Sequence, residues 1–257
     1  MLEAHELTLR VPGRVLCEKL NARFMPGESW AILGANGAGK TTLLHALAGL
    51  RAPDAGKVHW DGRDVSSLSR RQLAQTLAVL LQDEAEGFWG SALDWVRLGR
   101  YPRQPAHRAK DEALARAALE QVGMGPLATR TMATLSGGER QRVRLAMVLA
   151  QVADAGQAVL LDEPLQHLDL RSQVAMLEVF AGLARREGKT VIMVLHDVYW
   201  ASRHCDKTLL VFGDGRIAQG ETRTVLNPEN MQALYGCPLA MVEAGGGRLF
   251  LPTGARP

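Results

Sequence analysis

Ser29-Trp30-Ala31-Ile32-Leu33-Gly34-Ala35-Asn36-Gly37-Ala38-Gly39-Lys40-Thr41-Thr42 decides how the rest of the chain is read. Its first five residues are a short apolar run of strand type. The next eight, Gly34 to Thr41, fit G-x-x-x-x-G-K-[ST], and Thr41–Leu50 is apolar at helical spacing and closes on Gly49. A strand that feeds a glycine-rich turn that opens a helix is the context in which this spacing cradles phosphate. Glycines let the backbone curl so that successive N–H groups point inward at phosphate oxygens. The helix start adds the positive end of its dipole. Lys40 carries a full positive charge for the β- and γ-phosphates, and Thr41 offers a hydroxyl to Mg2+. By itself the stretch signals a nucleoside triphosphate and no particular reaction.

Working outward, Ala158-Val159-Leu160-Leu161-Asp162-Glu163 is an apolar strand ending in two carboxylates. The order strand Ala158–Leu161, helix Arg171–Arg186, strand Thr190–Leu195, with no tight hairpin between, predicts parallel pairing and an α/β core. Ligands of such sheets gather at the carboxyl ends of the strands. There Asp162 is placed to hold the Mg2+ shell through water. Glu163 is placed to orient or deprotonate an attacking water, the positioning role that phosphoryl transfer needs. His196 follows the apolar run Val191–Leu195 and stands beside Asp197, a position suited to a γ-phosphate. Gln82 ends the run Leu77–Leu81, from which its amide can reach Mg2+ or the water.

The remaining pattern bounds the answer. Of 257 residues 47% are hydrophobic and 22% charged, which excludes a disordered chain. The net charge of +3 is mild, and no run of lysine and arginine exceeds two residues, so the charge does not argue for nucleic acid. Apolar runs stay far below the ~20 residues of a membrane span. Met1-Leu2-Glu3-Ala4-His5-Glu6 has neither the basic start nor the apolar stretch of a secretory signal. Cys17, Cys205 and Cys237, an odd number without metal-like spacing, read as ordinary thiols of a reducing compartment. A soluble, cytoplasmic chain is expected, serving a membrane only by docking to another chain. Residues 1–30 read as short strands broken at Pro12-Gly13 and Pro26-Gly27, and Val58–Trp60 with Asp61-Gly62 as a hairpin. Residues ~85–155 change character, with amphipathic helices expected at Asp111–Val122 and Glu139–Val152. Short strands return over 208–220 around Gly213-Asp214-Gly215, and the tail from Gly245 is glycine-rich.

Leu135-Ser136-Gly137-Gly138-Glu139-Arg140-Gln141-Arg142 is the most specific string in the chain. Ser136 and Glu139 form an S-x-x-E capping box, and two glycines leave the helix start bare. Such an end presents N–H groups, a hydroxyl and a dipole to an anion. Together with the phosphate loop, Gln82, Asp162-Glu163, Asp169 and His196, in that order, this string makes residues 1–235 resemble the ATPase subunit of an ABC transporter. The resemblance implies an α/β fold: a P-loop NTPase core with a mainly parallel sheet, an N-terminal antiparallel β subdomain and a helical insert. It places the core in 1–84 and 156–235, the helical part in 85–155 and a short extension in 236–257. It implies ATP and Mg2+ as cofactors and a head-to-tail homodimer with two ATP molecules at the interface. ATP would be held by Gly34, Ala35, Asn36, Gly37, Ala38, Gly39, Lys40, Thr41 and Thr42 of one copy. Ser136, Gly137 and Gly138 of the other copy, with Asp169 at the seam, would close over it. Glu163, His196 and Gln82 would serve catalysis, and Thr41, Gln82 and Asp162 the metal. Gln82 and the helical segment after it match the part that grips polytopic transmembrane permease subunits, which would put the chain on the cytoplasmic face of the inner membrane.

Three positions depart from that pattern. No aromatic residue stands near Val11 to stack on adenine, although Arg10 or Arg14 could lie over the base. Gln166-His167-Leu168 replaces the usual Ser-Ala-Leu before Asp169, and His167 brings an imidazole to the subunit seam. Val96–Pro102 and the tail Val225–Asn230 leading to Leu234-Tyr235-Gly236 are similar to importers of metal chelates: iron–siderophore, haem and cobalamin systems, which also use a substrate-binding protein. Asp162-Glu163-Pro164-Leu165 and the short tail lean towards a corrinoid. A transporter for another substrate class is the alternative. A DNA-repair ATPase would need long heptad coiled coils, and a ribosome-associated factor two such units in one chain; neither is present.

Overall fold

The computed structural model describes residues 1–82, 88–103 and 108–254. The chain opens with two long strands, β1 (Leu2–Val11) and β2 (Arg14–Phe24), where the sequence predicts shorter runs. They pair antiparallel about the Pro12-Gly13 turn, and bulges absorb the irregular alternation that breaks the pattern in the sequence. Strand β3 (Ser29–Leu33) passes through the glycine loop into α1 (Lys40–Leu47). Then come β4 (Ala55–Trp60), β5 (Arg63–Asp64), α2 (Arg70–Thr76) and β6 (Leu77–Leu80). Next lie α3 (Ala92–Leu98), α4 (Arg108–Gln121) and α5 (Gly137–Val152), all in the predicted helical stretch. The chain returns through β7 (Ala158–Asp162), α6 (Leu170–Glu187), β8 (Thr190–Val194), α7 (Val198–His204), β9 (Lys207–Val211) and β10 (Ile217–Glu221). It ends with α8 (Thr222–Val225), α9 (Pro228–Tyr235), β11 (Leu239–Ala244) and β12 (Gly247–Pro252). The last two form an antiparallel hairpin in the glycine-rich tail, where Gly245 and Gly246 supply the left-handed turn.

The main sheet runs β10-β9-β3-β8-β7-β6, parallel throughout except for the β10 edge, and a second sheet, β2-β1-β4-β5, is antiparallel. Period-two alternation splits each central strand between two cores. Trp30 and Ile32 of β3, Leu160 of β7 and Ile192 of β8 face α1 and the antiparallel sheet. Ala31, Leu33, Leu161 and Met193 face α6 and the three-helix segment. Both faces are covered, which is why β3 and β8 are buried at every position and apolar at all but their first residue, Ser29 and Thr190. The β3–α1 and β7 ends therefore meet at one edge of a rigid layer.

The helices of this segment are held to one another by a charge cluster around the buried Arg100. Arg100, 4% exposed, pairs with Asp111 at 3.0 Å and with both oxygens of Asp154, and donates to the Ala150 carbonyl in the last turn of α5. Arg103 and Lys110 add contacts of 3.2 Å to Asp154. The Arg100 guanidinium holds the Asp154 carboxyl well below the usual carboxylate range. The Val96–Pro102 string that stands out in the sequence is thus the joint of α3, α4 and α5. Among the described residues no helix is long and apolar enough to cross a membrane.

Candidate active site

The site is built on three strand ends. Beyond β3 the loop turns back on itself at Gly39, whose φ of +104° suits glycine alone, and a Cβ there would stand 2.9 Å from the Leu16 side chain. Lys40 begins α1 and is buried; its ammonium folds over the loop and donates to the carbonyls of Gly34 and Ala35 at 2.9 and 3.1 Å. Burial pulls its pKa down, and the charges of Glu163 and Asp162 pull it back up. Thr41, the next residue, sends its hydroxyl 3.2 Å to Asp162 Oδ1 at the end of β7. Asp162 is 1% exposed and its Oδ2 has no partner among the described residues. A buried orphan carboxylate oxygen is costly unless a cation or its water completes it. Burial raises the Asp162 pKa, opposed by the Thr41 hydroxyl. Hard oxygen donors of this kind suit Mg2+, so the residues fit the metal that the motifs imply.

Glu163 follows with its carboxylate held on both sides. Its Oε1 lies 2.7 Å from His196 Nε2, past the end of β8, and its Oε2 accepts from the Gln166 side-chain amide. Lys40, Thr41, Gln82, Glu163, Gln166 and His196 all line one cavity of about 520 Å³. The loop residues Asn36, Gly37, Gly39 and Thr42 line its floor. At its far end stand Val11, Arg14 and Leu16. Of the two arginines weighed for the base, Arg14 is the one in place, where it donates to the Gly37 carbonyl. Arg10 is engaged elsewhere through its backbone, with Asp54 and Arg51.

The glycine-serine string lies apart from this cavity. Ser136 caps α5 with the full box: Glu139 N–H donates to Ser136 Oγ at 3.3 Å, and Ser136 N–H to Glu139 Oε2 at 2.7 Å. That bond holds the Glu139 carboxyl below its usual range. Ser136 is exposed and Gly137 and Gly138 are half-buried, with the His167 carbonyl 2.9 Å from where a Cβ on Gly138 would stand. Asp169 is exposed and caps α6 through a 2.7 Å bond from Ser172 N–H. Of the predicted residues, the structure brings together 34–42, Gln82, Asp162, Glu163 and His196. It leaves Ser136–Gly138 and Asp169 on an open face of the same chain. Two further residues escaped the sequence reading. Gln166 is treated there only as a departure, yet it bonds Glu163. Gln141, read only as part of a helix, donates to the Pro164 carbonyl at 3.0 Å and so fastens α5 to the turn after Glu163. The one signal for Gln166 was its spacing, three residues past a carboxylate in a turn.

A family model described as "ABC transporter" matches residues 17–166. The hemin import ATP-binding protein HmuV of Bordetella pertussis is 42% identical over 241 residues, covering 91% of this chain and 92% of that protein. HmuV of Pseudomonas fluorescens is 41% identical over 238 residues, covering 92% of each. Among solved structures, an inward-facing metal-chelate type ABC transporter superposes with a TM-score of 0.82 at 28% identity, over 98% of this chain and 97% of that one. The chain therefore belongs to the ABC transporter family, as an ATPase that works with ATP and Mg2+.

Proposed function

We propose that this chain powers a metal-chelate importer, with haem as the cargo, by hydrolysing ATP between two head-to-tail copies. The convergence of Lys40, Thr41, Glu163 and His196 on one cavity, with buried Asp162 accepting from the Thr41 hydroxyl beside it, supports the chemistry. The likeness to hemin import proteins over nine-tenths of the chain supports the cargo, ahead of the corrinoid that the sequence leans towards. In this reading 1–84 and 156–235 form the nucleotide-holding core, 85–155 the helical part and 236–257 an extension. Transmembrane permease subunits receive the motion at the cytoplasmic face of the membrane, and a substrate-binding protein delivers the chelate.

ATP lies along the glycine loop with its base between Val11 and Arg14. Lys40 leaves the Gly34 and Ala35 carbonyls for the β- and γ-phosphate oxygens. Thr41, Asp162 and Gln82 hold Mg2+, which supplies charge neutralisation at the phosphates. Glu163 accepts a proton from the water that attacks the γ-phosphorus, the bond from the β–γ bridging oxygen breaks, and ADP and phosphate result. His196, once free of Glu163, donates to the γ-phosphate. Ser136 and Gly138 of the second copy bind the same phosphate from the opposite side, which gives the exposed cap of α5 its ligand. Little covalent chemistry falls to the protein, and positioning and charge do the catalysis.

The test reconstitutes the chain with its permease in vesicles and follows phosphate release. Haem presented by its binding protein should stimulate hydrolysis. Stimulation by a sugar or a peptide, with none by haem, siderophore or cobalamin, would remove the metal-chelate reading.

A further inference from the structure

Both oxygens of the Glu163 carboxylate are engaged within the chain, one by His196 and one by the Gln166 amide. The Glu163 side chain is only 9% exposed, so little of it is left for water to reach. The turn that carries Gln166 is bracketed by two non-glycine residues in left-handed conformation, Glu163 at φ +49° and His167 at φ +61°. Side chains of this size rarely adopt that region, so the turn is strained at both of its ends. Its outer end rests on the start of α5, where the His167 carbonyl packs on Gly138. Its inner end is held by Gln141. Behind Gln166 lies a second cavity of about 190 Å³, lined by Leu165, Gln173 and Trp200 as well as by Glu163, Gln166 and His196. The amide therefore has somewhere to go. A serine or alanine at this position could not span the distance to Glu163.

We propose that Gln166 is a positioning residue that clamps the Glu163 carboxylate away from the attacking water until contact at the Ser136–Gly138 face shifts the 163–167 turn. The clamp makes hydrolysis depend on the arrival of the second copy. It rests on the assignment of Glu163 as the proton acceptor.

Gln166→Met keeps length and volume but removes the donor, and Gln166→Ala removes the reach altogether. Steady-state phosphate release by the full chain, measured across ATP concentrations, separates kcat from KM. Both variants should raise kcat about tenfold, the low end of what one hydrogen bond to a charged group is worth, with KM unchanged. A kcat equal to or below the parent's in both variants overturns the clamp, because a residue that only packs, or that aids the active arrangement, cannot accelerate the reaction when lost. Glu163→Gln runs alongside. If it hydrolyses ATP at the parent rate, the assignment of Glu163 fails and the clamp with it. If it is inactive while the Gln166 variants are no faster, the clamp alone fails.

Discussion

Two helix starts in this chain carry glycines and an anion-ready end, and they differ in what stands in front of them. Ahead of α1 the chain supplies everything itself: Lys40 and Thr41 beyond β3 and Glu163 beyond β7 converge on one cavity, with Asp162 bonded to Thr41 beside it. Ahead of α5 the described residues supply only the capping box, and Ser136 faces outward. The first is a phosphate cradle complete in one chain. The second has the chemistry of a cradle without the surrounding walls, which is the form expected of a half-site that another copy completes. The turn 163–167 lies between them, tied to α5 by Gln141 and His167 and to the first site by Glu163.

The sharpest break of this contrast is Glu163→Gln. Loss of a proton acceptor should slow hydrolysis by about 10²–10⁴-fold. Nucleotide binding should survive, and the ATP-loaded chain should elute as a stable dimer; a monomer under those conditions would leave the α5 end without a ligand. Gly39→Ala strikes the first start only. A methyl at φ +104° against Leu16 should lower unfolding free energy by about 1–3 kcal/mol and abolish ATP binding, as read by thermal melts and nucleotide titration. Ser136→Asp sharpens the second start. Aspartate caps a helix as well as serine does, so the melting temperature should hold within about a degree or two. The added negative charge should repel a γ-phosphate and weaken ATP-driven dimerisation about tenfold or more, while ATP binding to the monomer stays at the parent level. If dimerisation is unaffected, the serine is a cap and nothing else.

The smallest effect belongs to the joint that carries the second start. Arg100 depresses the Asp154 pKa below its usual 3.8, so the folded state binds this proton less readily than the unfolded chain. The resulting stabilisation is fully present above the unfolded value and is lost as pH falls through the depressed one. Asp154→Asn should therefore lose about 1–3 kcal/mol at neutral pH. The gap between parent and variant should close only below pH ~4 in acid-unfolding curves. A constant gap down to pH 2 would exclude the pair as its source.

Much of the catalytic chemistry was legible in order along the chain, because each piece is local. A loop of fixed spacing, an acid pair after an apolar strand and a capped helix start each carry their reason within a few residues. Elements that depend on distant partners were not. Residues 1–30 read correctly as strands about Pro12-Gly13, but the full length of β1 and β2 hid behind bulges, since alternation is broken wherever the register shifts. The β11–β12 hairpin hid in a tail whose glycines resemble a linker until they close a turn against α7. Gln166 looked like a substitution in a seam, and only the geometry of a left-handed turn shows its amide reaching Glu163.

What the sequence determined alone was therefore the kind of chemistry and the family that performs it, because backbone curl, charge and capping are short-range properties. What only the tertiary structure decided was which groups share a cavity, that Arg14 is among them, and that both oxygens of Glu163 are held within the chain. Those facts depend on how a buried parallel sheet sets the ends of β3, β7 and β8 side by side, and strand order and turn conformation lie beyond what spacing along the chain can encode.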